Sequence, residues 1–450
     1  MARPKKEKAP DGPVKVDSKM VYEFLHKKLA SESAKLIRAA EKEDAKTDAS
    51  KKKQVIGLSS ASIEEKDPPP YAISTGLPSF DLHLIRAANG EYGFPGGRII
   101  EILGPESSLK TTMGHRMAGD ILSKQGLVFW IQTEFEFDPD YAKSIYADCG
   151  VDVTVDLPVE VLDANTTGEV FIAMQTIVNS IKAIAIEGKE QNKGKKAYEY
   201  MPRVLIFIDS LGALMATENR GRLEGAFDAA DKTGGHAKDL HDLFKFFMRD
   251  CYTLGVTLAY TNHYRDNLKS AGPFSKQHLP AHNSATKYYA TARVDFRFYN
   301  DTNVVDRTKS IKNSDPVDFG KHYKMSILKK RGRIIGDESV GVPYYLNYGP
   351  DYLKSLQDAS VMCGIFKLIK KEYVLQLEVL TEEPHQLMMV PFVDAAGEPI
   401  PMSEGEYRDR LIDIEGLAIG IEKLCYELGP IFEYGDPRKM KMGEIDEIGK

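Results

Sequence analysis

"RIIEILGPESSLKTT", residues 98–112, decides the fold. Ile99 to Leu103 is an almost uninterrupted apolar run, the pattern of a strand buried on both faces. Behind it comes a glycine-started loop ending in Lys110 and Thr111, and then a helical pattern through Ile121 and Leu122. In a phosphate-binding loop of pattern G-x-x-x-x-G-K-[ST], backbone N–H groups wrap the phosphates, the lysine reaches the β- and γ-phosphates, and the hydroxyl holds Mg²⁺. Gly104, Lys110 and Thr111 are in register, whereas Leu109 stands where the second glycine belongs. The loop Gly104, Pro105, Glu106, Ser107, Ser108, Leu109, Lys110, Thr111 and Thr112 is therefore a candidate cradle for a nucleotide, the alternative being a strand-to-helix turn with an accidental lysine.

A second element separates these readings. "VLIFID" (204–209) is another buried strand, and it ends in Asp209, the form of a carboxylate that holds Mg²⁺ at a strand end. Thr111 and Asp209 are the expected metal-side pair. Glu134 follows the strand "LVFWIQ" (127–132); if that strand lies next to the phosphate-loop strand, Glu134 reaches the same sheet edge and could orient a water, with Glu136 as competitor. Asn262 and His263 end the strand "VTLAYTN" (256–262). His263 could sense a terminal phosphate or be an ordinary hydrogen-bonded histidine.

Outward from this centre, strands and helices alternate from Tyr71 to about residue 350, which predicts an α/β fold with a mostly parallel sheet covered on both faces. Residues 1–70 read as an arm and linker: a helix over 17–45 with an apolar stripe (Val21, Phe24, Leu25, Leu29), a β-like run at 55–63, and three prolines at 68–70. Residues 351–450 read as a small C-terminal domain with helices at 352–366 and 411–428.

Of the 450 residues 42% are hydrophobic and 28% charged, the proportions of a soluble globular protein. The net charge of −6 hides a basic start, with 15 Lys or Arg against 9 Asp or Glu in residues 1–53, which suits phosphate contact or a merely solvated tail. Four scattered cysteines without a C-x-x-C pair indicate neither a disulfide framework nor a zinc site, so a reducing cytoplasm is expected. No run approaches the length of an uninterrupted apolar membrane span. Two long segments, 217–238 and 264–287, follow the strands "VLIFID" and "VTLAYTN". Arg220, Arg222, Arg265, Lys269 and Lys276, with Phe274 among them, suit single-stranded nucleic acid held by phosphate contacts and stacking.

The ordered set "ISTGLPSFDLHL", "GRIIEILGPESS", "TEFEFDPDYA", "IDSLGAL" and "ATKYYATARVDFRF" resembles the RecA-like strand-exchange recombinases over about residues 71–350. "FIDSLG", "NH", "FSK" and a Lys-x-Arg strand are similar to the phage branch typified by UvsX. The resemblance implies a RecA-like ATPase core that binds ATP and Mg²⁺, polymerises as a helical filament on single-stranded DNA, and exchanges it into double-stranded DNA. A single-stranded-DNA-binding protein and a mediator are implied partners, and the setting is a bacterial host's cytoplasm. It implies that Glu134 positions water, Tyr141 packs on adenine, and Lys329 and Arg331 reach the neighbouring subunit's triphosphate. The arm would dock on the next protomer. In the phage branch a bulky residue can precede the loop lysine, so a working loop here is expected to have negative φ at Leu109, because the left-handed region costs a side chain about 1–2 kcal/mol. Rival readings are a ring-forming RecA-type motor and a DNA-coating filament with weak hydrolysis.

Overall fold

The computed structural model describes residues 19, 23, 69–215, 235–266, 278–281, 283–306, 317–330, 339–345, 349–377 and 390–430. The expected arm helix and strand, Arg220, Arg222, Lys269, Phe274, Lys276 and Arg331 lie outside them. The chain forms two compact units, one built mainly from residues 95–103 and 111–291, the other from 71–94, 104–110 and 292 onward.

The first unit is a parallel α/β layer. Its elements are β1 (Ile99–Leu103), α1 (Lys110–Ser123), β2 (Leu127–Gln132), α2 (Pro139–Asp148), β3 (Val159–Asp163), α3 (Thr167–Lys189), β4 (Val204–Asp209), α4 (Gly235–Leu254) and β5 (Val256–Asn262), then the short β6 (Tyr264–Asp266), β7 (His278–Pro280) and α5 (Asn283–Tyr289). The order across the sheet is β3–β2–β4–β5–β1, and every one of these pairings is parallel. This corrects the expected adjacency of β2 to β1: β4 and β5 stand between them. Chain succession does not fix spatial order, because the helical crossover from β1 to β2 leaves room that later strands fill.

Alternation along the strands divides the core. Phe129, Ile131, Ile206, Ile208, Leu258 and Tyr260 belong to one cluster with Val170, Met174, Ile177 and Ile181 of α3 and Leu243, Phe244 and Phe247 of α4. Trp130 points to the opposite face, stacked on Phe207 at 4.4 Å and on His115 of α1 at 4.2 Å. Gly114 lies so close to the sheet that a Cβ there would enter the Phe207 ring, so α1 needs glycine at this turn. Helix α3 is long and apolar enough to cross a membrane by composition, yet its buried stripe is part of this core. Capping fixes the helix starts. Asp138 accepts from the N–H groups of Asp140 and Tyr141 with Pro139 at the first position of α2, and Thr166 and Glu169 form a reciprocal capping box on α3.

The second unit carries an antiparallel ladder of β8 (Ala292–Asp306), β9 (Val317–Lys330) and β10 (Ser339–Tyr345), with Phe296 opposite Met325 and Tyr323 opposite Val342. It continues with α6 (Tyr352–Met362), a hairpin of β11 (Phe366–Ile369) and β12 (Glu372–Leu375), then α7 (Glu404–Asp413) and α8 (Leu417–Leu428). The single helix expected over 411–428 is thus two, broken at Ile414–Gly416, where Gly416 takes a φ of 76°. Leu82 and Tyr92 share a core with Phe366, Tyr407, Leu411, Ile421 and Leu424. Polar locks join the same segments: buried Asp81 accepts from the Thr75 N–H and hydroxyl at 2.8 Å each and from the Tyr426 hydroxyl at 3.2 Å.

Candidate nucleotide site

The loop between β1 and α1 has the backbone of an anion nest. Ser107 and Leu109 are left-handed, with φ of 57° and 69°, and Ser108 between them is not. Such alternation turns successive N–H groups toward one centre, next to the unpaired N–H groups that open α1. The expected negative φ at Leu109 is therefore incorrect. The chain keeps the conformation that glycine would supply and places a half-buried leucine in it. Gly104 is required for a different reason: a Cβ there would strike the Ser108 side chain and the Phe296 carbonyl oxygen. Lys110 is buried, its Nζ donating to the Pro105 carbonyl at 2.5 Å, so the ammonium folds back over its own loop. The buried Ser108 hydroxyl has no hydrogen-bond partner among the described residues. An orphan hydroxyl, a nest of amides and a folded-back lysine together fit a polyanion such as a nucleotide's phosphates.

At the carboxyl ends of the parallel strands, Thr111 Oγ1 donates to Asp209 Oδ2 at 2.8 Å, and Thr261 Oγ1 donates to Asp209 Oδ1 at 2.5 Å. The β2 end is tied to the β4 end by Thr133, whose hydroxyl donates to the Ser210 carbonyl at 2.8 Å and accepts from the Ser210 N–H at 2.9 Å. One step further, Ser210 Oγ donates to Glu134 Oε1 at 2.5 Å, and His263 Nε2 lies 3.7 Å from the same oxygen. Gln132 closes the turn that carries Glu134, accepting from the Phe137 N–H at 3.0 Å and donating to Asp163 at 2.6 Å. Phe135 occupies the left-handed region inside this turn, with φ 57°. Glu136, the competitor, is exposed.

His263 is held through its main chain. Its N–H donates to Asn262 Oδ1 at 3.0 Å, and its carbonyl accepts from the Ala281 N–H at 2.9 Å. Asn262 Nδ2 donates to buried Glu101 and to the Ala281 carbonyl, both at 2.8 Å. Strands β6 and β7 then pair, so residues 267–277 leave and return through a closed base. Arg265 lies on β6. The base of 216–234 is also closed: Met215 bridges Thr166, and Thr167 Oγ1 donates to Asp239 at 3.1 Å.

Tyr141 opens α2, partly exposed, its hydroxyl 2.6 Å from Thr112 Oγ1 and its ring edge-on to His115 at 5.8 Å. Burial against these aromatics pushes the His115 imidazole down to about 4, so it is neutral at physiological pH. Lys329 sits near the end of β9, opposite Arg293. Among the described residues no group of three or more His, Cys, Asp or Glu could hold a metal. The donors present, one hydroxyl and one carboxylate, suit a cation that takes its other ligands from phosphate and water, as Mg²⁺ does.

Sequence reasoning brought Thr111, Asp209, Glu134 and His263 to one edge but overlooked Ser210, Thr261, Thr133 and Glu101. A carboxylate inside "IIEIL" and hydroxyls flanking Asp209 and Asn262 were the available signals.

Five parallel strands, with a nest-shaped loop leading from the end of β1 into a helix, define an α/β phosphate-loop protein. The RecA N-terminal domain matches residues 60–186. Protein RecA of Gluconacetobacter polyoxogenes is 30% identical over 296 residues, 65% of this chain and 70% of that protein. Protein RecA of Corynebacterium diphtheriae is 28% identical over 268 residues, and that of Trichodesmium erythraeum 26% over 260. The chain belongs to the RecA family. The matches to the last two span 59% and 58% of those proteins' own length.

Proposed function

We propose that the protein is an ATP-dependent recombinase of the UvsX-like phage branch, which assembles as a filament on single-stranded DNA and exchanges it into homologous duplex. The observation that carries this reading is the convergence of Thr111, Asp209, Glu134, Ser210 and His263 at one edge of the parallel sheet. Bound MgATP supplies the phosphoryl group to be transferred to water. Gly104 to Thr112 hold the phosphates, with Lys110 turning from Pro105 toward them. Thr111 and Asp209, which now bond to each other, would hold the cation, Asp209 through water. Glu134, fixed by Ser210, orients the attacking water and receives its proton, and Tyr141 stacks on the base. His263 links this edge to the hairpin base under 267–277. Residues 264–284 and 217–238 contact DNA, using Arg265, Lys269, Phe274 and Lys276 in one and Arg220 and Arg222 in the other. Lys329 and Arg331 act on the neighbouring protomer's triphosphate. The setting is a bacterial host's cytoplasm, with a single-stranded-DNA-binding protein and a mediator as partners.

Electron microscopy with single-stranded DNA and a non-hydrolysable ATP analogue tests the reading. Extended helical filaments are expected. Closed six-membered rings would point to a motor instead.

A further inference from the structure

Asp209 is held from two sides, and the two holds differ in kind. In the parallel pairing of β4 with β5, Ile208 stands opposite Tyr260, so the next pair along these strands is Asp209 and Thr261. Alternation turns both toward the α1 face, the side on which Phe207 meets Gly114. There Thr261 Oγ1 donates to Asp209 Oδ1 at 2.5 Å, and Thr111 Oγ1, from the first turn of α1, donates to Asp209 Oδ2 at 2.8 Å. Each carboxylate oxygen thus has a hydroxyl of its own.

Thr111 is exposed, so its hydroxyl can turn away from Asp209 and still be solvated. Thr261 has no such freedom. It is fully buried, and branching at Cβ restricts its χ1. Breaking its bond would strand a buried hydroxyl without its acceptor and incur that group's desolvation cost. The hydroxyl adds nothing to packing that a valine methyl would lack, so its contribution is the bond. The bond fixes the carboxylate plane: Oδ1 is committed to β5, and Oδ2 is turned toward Thr111.

Divalent cations differ in what they ask of such a group. Mg²⁺ sheds water reluctantly and keeps several waters when bound, whereas the larger Ca²⁺ gathers more oxygens and often takes both oxygens of one carboxylate. A carboxylate with Oδ1 committed can accept from a cation-bound water through Oδ2. To give both oxygens to a cation it must rotate and release Thr261.

We propose that Thr261 sets the cation specificity of the nucleotide site, making Asp209 a one-oxygen partner that favours a cation retaining its water shell, Mg²⁺, over Ca²⁺. Thr261 is a positioning residue that acts through Asp209, and hydrogen-bond partners of this kind are felt in metal affinity. The inference rests on the reading of Thr111 and Asp209 as the residues that hold the nucleotide's cation.

The test measures binding, with the full chain and without DNA. A fluorescent ATP analogue is titrated in Mg²⁺, in Ca²⁺ and in EDTA against the wild type, Thr261→Val, Thr261→Ala and Thr261→Ser, with thermal unfolding as a check on folding. The wild type should bind the analogue more tightly with Mg²⁺ than with Ca²⁺, and least in EDTA. Thr261→Val should lose about tenfold in apparent Mg²⁺ affinity with Ca²⁺ affinity little changed, so that the preference narrows by the same factor. Thr261→Ala lacks the hydroxyl in a smaller side chain and should behave alike, which keeps the test open if one of the two folds poorly. Thr261→Ser keeps the hydroxyl and should retain the preference. Binding by the wild type that is indifferent to EDTA would overturn the reading of the site and the inference with it. Cation-dependent binding whose Mg²⁺ preference survives in Thr261→Val, weakens equally for both cations, or is lost as fully in Thr261→Ser would overturn the inference alone.

Discussion

Ser210 Oγ and Glu134 Oε1 are 2.5 Å apart, a bond that crosses from the end of β4 to the turn after β2. Glu134 is more than a third exposed, and without this bond its side chain would have several rotamers open to it. Glu134→Gln is expected to retain ATP binding and lower turnover at least about tenfold, equivalent to roughly 1.4 kcal/mol of barrier. Ser210→Ala should lower kcat about fivefold with KM little changed, and should have almost no further effect in the Glu134→Gln background. Steady-state hydrolysis by the four proteins of this cycle measures the coupling. Additive losses would mean that Ser210 does not act through Glu134.

Leu109 in the left-handed region can be relieved directly. Leu109→Gly removes about 1–2 kcal/mol of crowding but gives back roughly 0.5–1 kcal/mol in unfolded-chain entropy, so a modest net gain is expected. Urea unfolding should show a higher midpoint. Leu109→Val, β-branched at the same φ, should lower it. A loss of stability in the glycine variant would show that the leucine side chain contributes more than its backbone strain costs.

His115 couples stability to pH. Its folded value of about 4 lies below the ordinary 6.5, so the unfolded chain binds the proton more readily. The contribution of the neutral imidazole is fully present above pH 6.5, falls as pH drops toward 4, and changes no further below that. The shift corresponds to roughly 3–4 kcal/mol at most. Chemical unfolding at pH 7 and pH 4.5 should show this loss, and His115→Phe, which preserves the stack on Trp130, should lessen it. An equal loss in both proteins would place the acid sensitivity elsewhere.

Tyr141 has two separable parts. Tyr141→Phe removes only the bond to Thr112 and should cost at most about 1 kcal/mol of nucleotide affinity. Tyr141→Ala also removes the ring, for roughly 1–3 kcal/mol if it stacks on the base. Titration with a fluorescent ATP analogue separates these outcomes; equal affinity for all three proteins would remove Tyr141 from the base site.

Action between protomers is tested by mixing two inactive chains. Glu134→Gln and Arg331→Ala should each be defective alone. A junction at which one copy offers Glu134 and its neighbour offers Arg331 should recover hydrolysis. No recovery at any ratio, although mixed filaments form, would place Arg331 in its own chain's site or in the fold.

The strands were legible because each is an apolar run with a polar stop. "VLIFID" and "VTLAYTN" match β4 and β5 residue for residue, and the polar stops Asp209 and Asn262 stand at the candidate site. What local pattern does not carry is spatial order. Nothing in "LVFWIQ" says that two later strands separate it from "IIEIL". Leu109 misled for a related reason: propensity argues against a left-handed leucine, but the loop is held at both ends, and that context overrides a preference of 1–2 kcal/mol or so. The break at Gly416 was concealed by apolar residues that continue a helical spacing on both sides of it.

Asn262 binds Glu101, Ala281 and His263 at once, and β6 and β7 meet just beyond it. The two ends of the stretch from 267 to 277 are therefore anchored to the sheet. Lengthening such a loop costs little, about 0.6 kcal/mol for each doubling. Its composition can consequently drift, grow or be exchanged for another protein's while the sheet edge keeps its geometry. On the proposed reading, evolution can thus tune what this stretch grips without rebuilding the nucleotide site.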